Sequence, residues 1–183
     1  MNRRRLGFGL VLVGLVCTLS GCGLSPEQEA RQVANQQAQL AALIVRADGW
    51  GAEILAQVPE GEIETVTKNI GGVSIASDYY EEWPKYYYWM QLIDLRPDGP
   101  RTPTQVADDL EPWLHSHGWK RYKEHERPPA KDRFKHYYVR EGYLLGVEAY
   151  TVPPPRAQTI GFTILTPETD PDKPAPPTPT PDL

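Results

Sequence analysis

The feature that most constrains the fold is an apolar run from Tyr86 to Leu95, followed at once by a turn. Its ten residues, YYYWMQLIDL, place large apolar side chains at both odd and even positions. Successive side chains of a strand point to opposite faces, so this run predicts a strand that is covered on both sides. The sequence Arg-Pro-Asp-Gly-Pro at 96–100 has turn chemistry and ends the strand. The chain is therefore expected to build a sheet around this segment.

Further strands are predicted on both sides of that run. Glycine and proline clusters at 127–129, 141–142 and 152–155 separate the later ones. The predicted strands are Glu62–Val66, Val73–Ala76, Trp119–Glu126, Arg133–Arg140, Tyr143–Thr151 and Gln158–Leu165. The segment Ile70-Gly71-Gly72 is too short for a phosphate-binding loop and is expected to form a turn.

Two segments carry the signature of a helix start. Ser25 and Thr102 are each followed by proline and, two residues later, by glutamine. The second helix is expected to end at Gly118. The first is expected to break or bend at Gly49-Trp50-Gly51, and its part through Gln39 is poor in large apolar residues. That part is interpreted as a spacer away from the core, with a partner-binding coiled coil as the alternative.

These elements predict an α+β fold: an antiparallel sheet of four to six strands with helices packed on one face, preceded by an N-terminal helix. The predicted divisions are 1–21 as a leader, 22–58 as the N-terminal helical segment, 59–166 as the α+β domain and 167–183 as a tail. The tail contains seven prolines and no aromatic residue. Such a composition cannot form a packed core, so the tail is predicted to be disordered, with polyproline II character.

The N-terminus has the pattern of an export signal. Three arginines at 3–5 precede an apolar run from Leu6 to Val16. That run is shorter than the roughly twenty residues that a membrane-spanning helix needs. The segment Leu19-Ser20-Gly21-Cys22 then resembles the lipobox of bacterial lipoprotein precursors. The resemblance implies that Cys22 is lipidated, that the chain is cut just before it, and that the protein sits on the outer face of the cell membrane.

A second resemblance concerns the order of the later elements. The succession strand, helix, Gly118-Trp119 and three strands, with Leu114 on the helix, is similar to that of small actinobacterial lipoproteins of unknown function. This resemblance implies a fold and not an activity.

Cysteine content and charge narrow the function classes. Cys17 and Cys22 are the two cysteines, so the chain after the leader has no pair for a disulfide and must be stabilised by its core. Removing residues 1–21 takes three arginines from a formal charge of −5 and leaves −8. An acidic protein is a poor ligand for nucleic acid. The expected partners are the membrane, through the lipid on Cys22, and an envelope protein or cell-wall glycan.

Catalytic and metal-binding signatures are weak. His115 and His117 have the closest spacing of the four histidines, but residues two apart on a helix diverge by about 200°. His117 is expected to face the interior, and His125 and His136 to lie on strands that pair. No serine lies in a nucleophile elbow. The sequence therefore predicts no catalytic residue, no metal and no cofactor, with an envelope hydrolase built from dispersed residues as the alternative.

The most unusual segment is 79–89, which has seven aromatic residues in eleven positions. One face of one strand cannot bury them all. Tyr79, Tyr80 and Trp83, in the loop before the strand, are therefore expected to reach the surface as a binding platform. The alternative is that they cover the sheet edge. Together these features predict a membrane-anchored, non-enzymatic interaction module.

Overall fold

The computed structural model describes residues 24–76 and 82–174. The chain forms α1 (Pro26–Leu55), β1 (Ile63–Ile75), β2 (Lys85–Leu95) and α2 (Pro103–Ser116), followed by β3 (Lys120–Arg121), β4 (Arg133–Arg140), β5 (Tyr143–Tyr150) and β6 (Gln158–Leu165). Short 3-10 turns at Glu60–Glu62 and Lys123–His125 connect elements. None of the helices in the described ranges is long and apolar enough to cross a membrane.

The six strands form one open antiparallel sheet in the order β1-β2-β6-β5-β4-β3. The last strand in sequence therefore enters between β2 and β5. Helix α1 packs against β2 and β6, and α2 packs against β5 and β6. The predicted α+β class, with helices on one side of an antiparallel sheet, is confirmed.

Local sequence explains both helix starts and one helix end. Ser25 and Thr102 form capping boxes with Gln28 and Gln105. At the end of α2, Gly118 adopts φ +83°, and the amide of Trp119 donates to the carbonyl of Leu114 over 3.0 Å. This left-handed turn needs glycine because a Cβ atom makes the conformation costly.

The core lies between the helices and the near face of the sheet. Helices α1 and α2 and strands β2, β5 and β6 contribute side chains that are completely buried there. These are Ala47, Ile54, Ile93, Leu114, Leu145, Ile160, Phe162 and Ile164. Trp50 of α1 meets Trp119 and Tyr143 edge to face, at centroid distances of 5.3 and 4.8 Å. Burial of these aliphatic and aromatic groups is the main stabilising term for the described residues, which contain no cysteine.

Three sequence predictions about glycine and histidine were wrong. Helix α1 continues through Gly49-Trp50-Gly51 without a break. The two short strands predicted around Ile70-Gly71-Gly72 are one strand, β1, with both glycines inside it. His117 is exposed rather than interior, with its ring stacked on Trp113 at 4.0 Å.

The segment predicted as strand Trp119–Glu126 also differs from expectation. Only Lys120 and Arg121 are strand, and a 3-10 turn follows at Lys123–His125. His125 therefore lies on that turn rather than on a strand paired with the strand of His136. The side chain of His136 points to the helix side of the sheet. His125 instead contacts Tyr137, the next residue of β4, whose side chain points to the opposite side of the sheet.

The start of the predicted tail is packed on α1. Thr169 is buried, donates to Oε1 of Gln36 over 3.0 Å, and its amide donates to the carbonyl of Lys85. Gln39 donates to the carbonyls of Asp170 and Lys173 and accepts from the amide of Asp170. Residues 167–173 are thus fixed by polar contacts that composition does not reveal. The same contacts hold the first half of α1 on the domain, contrary to its predicted role as a spacer.

Candidate functional site

One face of the sheet is turned away from both helices, and it is here called the open face. In β2 the odd-numbered side chains from Tyr87 to Leu95 are buried under the helices, and the even-numbered ones are partly exposed. The same alternation runs through β5 and β6. Strand β2 was predicted to be covered on both sides, and among the described residues it is covered by helices on one side alone.

The strand register arranges the open face in rows that run across the sheet. The first row crosses all six strands and consists of Gly72, Tyr88, Leu165, Leu144, Val139 and Lys120. It is apolar except for the exposed Lys120 at the β3 edge. The next row contains Ile70, Met90, Thr163, Gly146 and Tyr137. A third row brings in charge through Lys68, Glu148 and Lys135, together with Leu92 and Gly161.

The apolar and charged rows occupy opposite ends of this face. At the charged end, Glu148 lies 3.4 Å from Arg133 and 3.6 Å from Lys135. Protein interfaces commonly combine an apolar centre with a polar margin. The open face carries both kinds of surface, placed toward opposite ends of the strands rather than as centre and margin.

Glycines make the open face flat. A Cβ atom on Gly72 would lie 2.5 Å from the phenol oxygen of Tyr88, and one on Gly161 would lie 2.8 Å from Cδ1 of Leu92. One on Gly146 would lie 2.7 Å from Cε of Lys135. The side chains of Tyr88, Leu92 and Lys135 lie over these glycines and fill the space that would otherwise form grooves. The result is low relief across the part of the face that these glycines occupy, whereas the charged end has a depression under residues 124–130, lined by Tyr137, Lys135 and Glu148.

Trp83, one of the three predicted platform residues, lies just before β2. Its peptide bond to Pro84 is cis, and its ring is partly exposed. The ammonium of Lys85 lies 4.4 Å from the ring centroid, so one face of the indole is already in contact with a cation. A depression beside it is lined by Leu24, Val33, Gln36, Pro84 and Pro171.

The other predicted site residues lie outside the described residues. Tyr79 and Tyr80 belong to the segment 77–81, and Cys22 belongs to 1–23. The binding platform and the lipid site therefore stay predictions.

The histidines do not converge on a metal site or a catalytic pair. Within residues 24–76 and 82–174, no group of three or more His, Cys, Asp or Glu side chains could hold a metal ion. Oγ of Ser116 lies 3.0 Å from Nδ1 of His117, but both atoms also lie 2.8 Å from the carbonyl oxygen of Trp113. Because the serine hydroxyl donates to that carbonyl, this neighbouring pair lacks the arrangement of an activated nucleophile.

His136 is the exception among the histidines because it is partly buried. Its Nδ1 is buried without a hydrogen-bond partner in the described part of the chain. Burial lowers the pKa of His136, and the positive charge of Arg121 lowers it further. The charged form of the imidazole is therefore disfavoured, and the ring centroid of Phe134 lies 4.4 Å from that of His136.

One polar cluster near His136 was missed by sequence reasoning. Arg121 is hydrogen-bonded to both carboxylate oxygens of Glu126, and its Nη1 donates to Glu111 over 2.9 Å. Burial raises the pKa of Glu126, but hydrogen bonds from Arg121 and from the amide of Tyr137 outweigh it and leave that pKa below its ordinary value. The cluster joins α2, β3 and β4, and no spacing in the sequence signals it.

Comparisons with protein-family models, with curated proteins and with solved structures found no match to this chain. The functional argument therefore rests on the residues and surfaces described above.

Proposed function

We propose that the protein is a lipoprotein, held on the outer face of the cell membrane by acyl chains on Cys22. We also propose that its folded domain binds a protein of the cell envelope. The basic leader, the apolar run and the lipobox-like segment support the anchor. Two acyl chains hold a protein stably in a membrane where one does not, at about 0.8 kcal/mol for each buried methylene.

The observation that carries the binding role is the open face. Its first row presents Tyr88, Leu144, Leu165 and Val139 side by side, all partly exposed and none covered by a described helix. Contiguous apolar surface on a soluble domain commonly marks an interaction site. We infer that this face is the main contact surface. Trp83 and its neighbours adjoin the start of α1 on the helix side of the sheet, and they form a second, smaller contact.

A protein suits this surface better than a small ligand. The side chains that lie over Gly72, Gly146 and Gly161 remove the relief that a small molecule needs to lose most of its contact with water. A flat area with an apolar end and a charged end instead resembles one half of a protein interface. No particular contact favours the alternative of an envelope hydrolase.

Crosslinking in intact cells, followed by mass spectrometry of the attached proteins, tests the binding role. We expect one envelope protein to recur with the native chain. Leu144→Lys and Leu165→Lys place a charge in the apolar row and should remove that partner. Ala41→Lys, at an exposed position of α1, adds the same charge elsewhere and should keep it. Equal capture by all variants, or no recurrent protein at all, would contradict the proposal and direct attention to cell-wall glycans.

The anchor has its own test. Cys22→Ser should release the protein from the membrane fraction or stop its processing, because the acylated thiol is gone. Unchanged cleavage and unchanged membrane retention would refute lipidation at Cys22. This outcome is independent of the binding experiment, which concerns the folded domain.

A further inference from the structure

Strand β1 forms one edge of the sheet, and its two halves differ in how that edge is protected. No described strand pairs with the outer side of β1. In its first half the register slips twice, between Ile63 and Thr65 and between Val66 and Lys68. Bulges and charged side chains are common devices against edge-to-edge association, and this half has both. The first half is therefore a poor template for another strand.

The second half, residues 69–75, lacks both devices. Its sequence, NIGGVSI, has no charge and no proline, and it pairs with β2 in unbroken register. On the side of the sheet where the helices lie, Val73 and Ile75 are each 48% exposed, because α1 packs over β2 and β6 instead. An extended edge with exposed apolar residues is a template for strand addition.

Backbone geometry shows which residues offer their peptide groups. The amide of Ala76 donates to Pro84 of the segment before β2, so even-numbered residues of this half direct their backbone toward β2. The odd-numbered residues therefore direct theirs outward. These are Asn69, Gly71, Val73 and Ile75.

We propose that the occupant of this edge is a second copy of the chain, which pairs antiparallel through residues 69–75 about a twofold axis at Gly72. In that register Asn69 lies opposite Ile75 and Gly71 opposite Val73, so outward peptide groups meet outward peptide groups and form about eight hydrogen bonds. Ile70 lies opposite Ser74. The uncharged half thus matches itself over its full length, and Lys68 falls just beyond the paired segment.

The symmetry agrees with the proposed anchor. A twofold axis perpendicular to the sheet, placed along the membrane normal, puts both copies of Cys22 at the same height. Because α1 carries the anchor and lies on the helix side, the helices then face the membrane and the open faces of both copies point away from it. The dimer consequently leaves the proposed partner surface available.

The dimer is expected to depend on confinement to a surface. Seven paired residues extend over roughly 23 Å, which buries less than the about 1,200 Å² of a stable soluble interface. Anchoring two copies in one membrane raises their effective concentration. This dependence rests on the proposed lipidation, whereas the strand register does not.

Disulfide trapping in isolated membranes tests the pairing with the full-length chain. Ile70 and Ser74 of opposite copies form a non-hydrogen-bonded pair, with Cα atoms about 4.5 Å apart, which suits a disulfide. The double variant Ile70→Cys with Ser74→Cys should give an oxidised dimer at least about tenfold more abundant than either single variant, because each single cysteine lies far from its own copy in this register. The parent chain and Glu64→Cys, in the bulged half, serve as controls and should stay monomeric.

A proline variant separates pairing from folding. Val73→Pro, in the double-cysteine background, removes an outward amide but no hydrogen bond to β2, so it should abolish the dimer and keep the protein folded. Val73→Thr keeps the amide and should keep the dimer. Absence of the dimer while the protein remains in the membrane fraction would overturn the pairing and leave the anchor standing. Equal crosslinking by Glu64→Cys, or capture of a different protein at this edge, would also overturn it.

Discussion

The phenol of Tyr87 donates a 2.8 Å hydrogen bond to Oδ1 of Asp48, and this contact ties β2 to the side of α1. Burial raises the pKa of Tyr87 to about 12, and the Asp48 carboxylate contributes to the increase. Burial likewise raises the pKa values of Tyr138 and Tyr143 to about 12. All three phenols face the core side of the sheet.

These three tyrosines predict a loss of stability at alkaline pH. Below pH 10 the phenols are neutral in both folded and unfolded chains. Between pH 10 and about pH 12 the unfolded chain releases protons that the folded chain retains, so the free energy of unfolding should fall as the pH rises. Urea unfolding at several pH values measures this slope. Tyr143→Phe should flatten it, and a slope unchanged by that substitution would contradict the assignment.

The two glycines of α1 should respond oppositely to alanine. A Cβ atom on Gly51 would lie 2.6 Å from the ring of Trp89, a buried residue, whereas nothing lies within 4 Å of one on Gly49. Gly49→Ala should stabilise by about 1 kcal/mol through helix propensity. Gly51→Ala should destabilise by about 1–3 kcal/mol through overpacking. Thermal and urea unfolding give both values, and stabilisation by both substitutions would show that Trp89 moves freely.

Glycine was also the main source of error in the sequence predictions. Gly49 and Gly51 were interpreted as a helix break, and Gly71 and Gly72 as a turn, because glycine often marks such sites. In the structure, Gly51, Gly71 and Gly72 instead leave room for the side chains of Trp89, Tyr87 and Tyr88 of β2. A steric role of this kind depends on residues far away in the sequence.

Predictions of features that depend on neighbouring residues were more reliable than predictions of features that depend on tertiary contacts. The capping residues Ser25 and Thr102, the terminal Gly118 and the approximate spans of β4, β5 and β6 were all recognised, since each depends on neighbouring residues. The open face could be expected in part from the apolar residues at even positions of β2. Its rows could not, because they require the strand order.

The contact between α1 and the segment 167–173 predicts a local effect of Gln39. Replacing Gln39 with alanine removes its bonds to Asp170 and Lys173 and should cost about 1–3 kcal/mol of local stability. Hydrogen exchange at the amides of Thr169 and Asp170 should accelerate, while β5 and β6 keep their protection. Gln37→Ala, at an exposed position of the same helix, is the matched control. Uniform acceleration across the sheet would instead indicate a global role.

The aromatic segment before β2 provides the last prediction. Combined replacement of Tyr79, Tyr80 and Trp83 by alanine should weaken capture of the envelope partner by about tenfold, the loss of about 1.4 kcal/mol of binding free energy. Aromatic side chains contribute strongly to protein interfaces, so this second contact should add measurably to the binding free energy. The domain should stay folded, since the ring of Trp83 is only partly buried.

His117→Ala is the control for that variant, because His117 is an exposed aromatic ring at the end of α2, on the helix side of the sheet and away from the segment before β2. It should leave partner capture unchanged. Thermal unfolding of the triple variant distinguishes the two roles of the segment. Unchanged capture with a lower unfolding temperature would assign Tyr79, Tyr80 and Trp83 to covering the domain, whereas reduced capture at an unchanged unfolding temperature would assign them to the binding surface, because then only the contact with the partner has been lost.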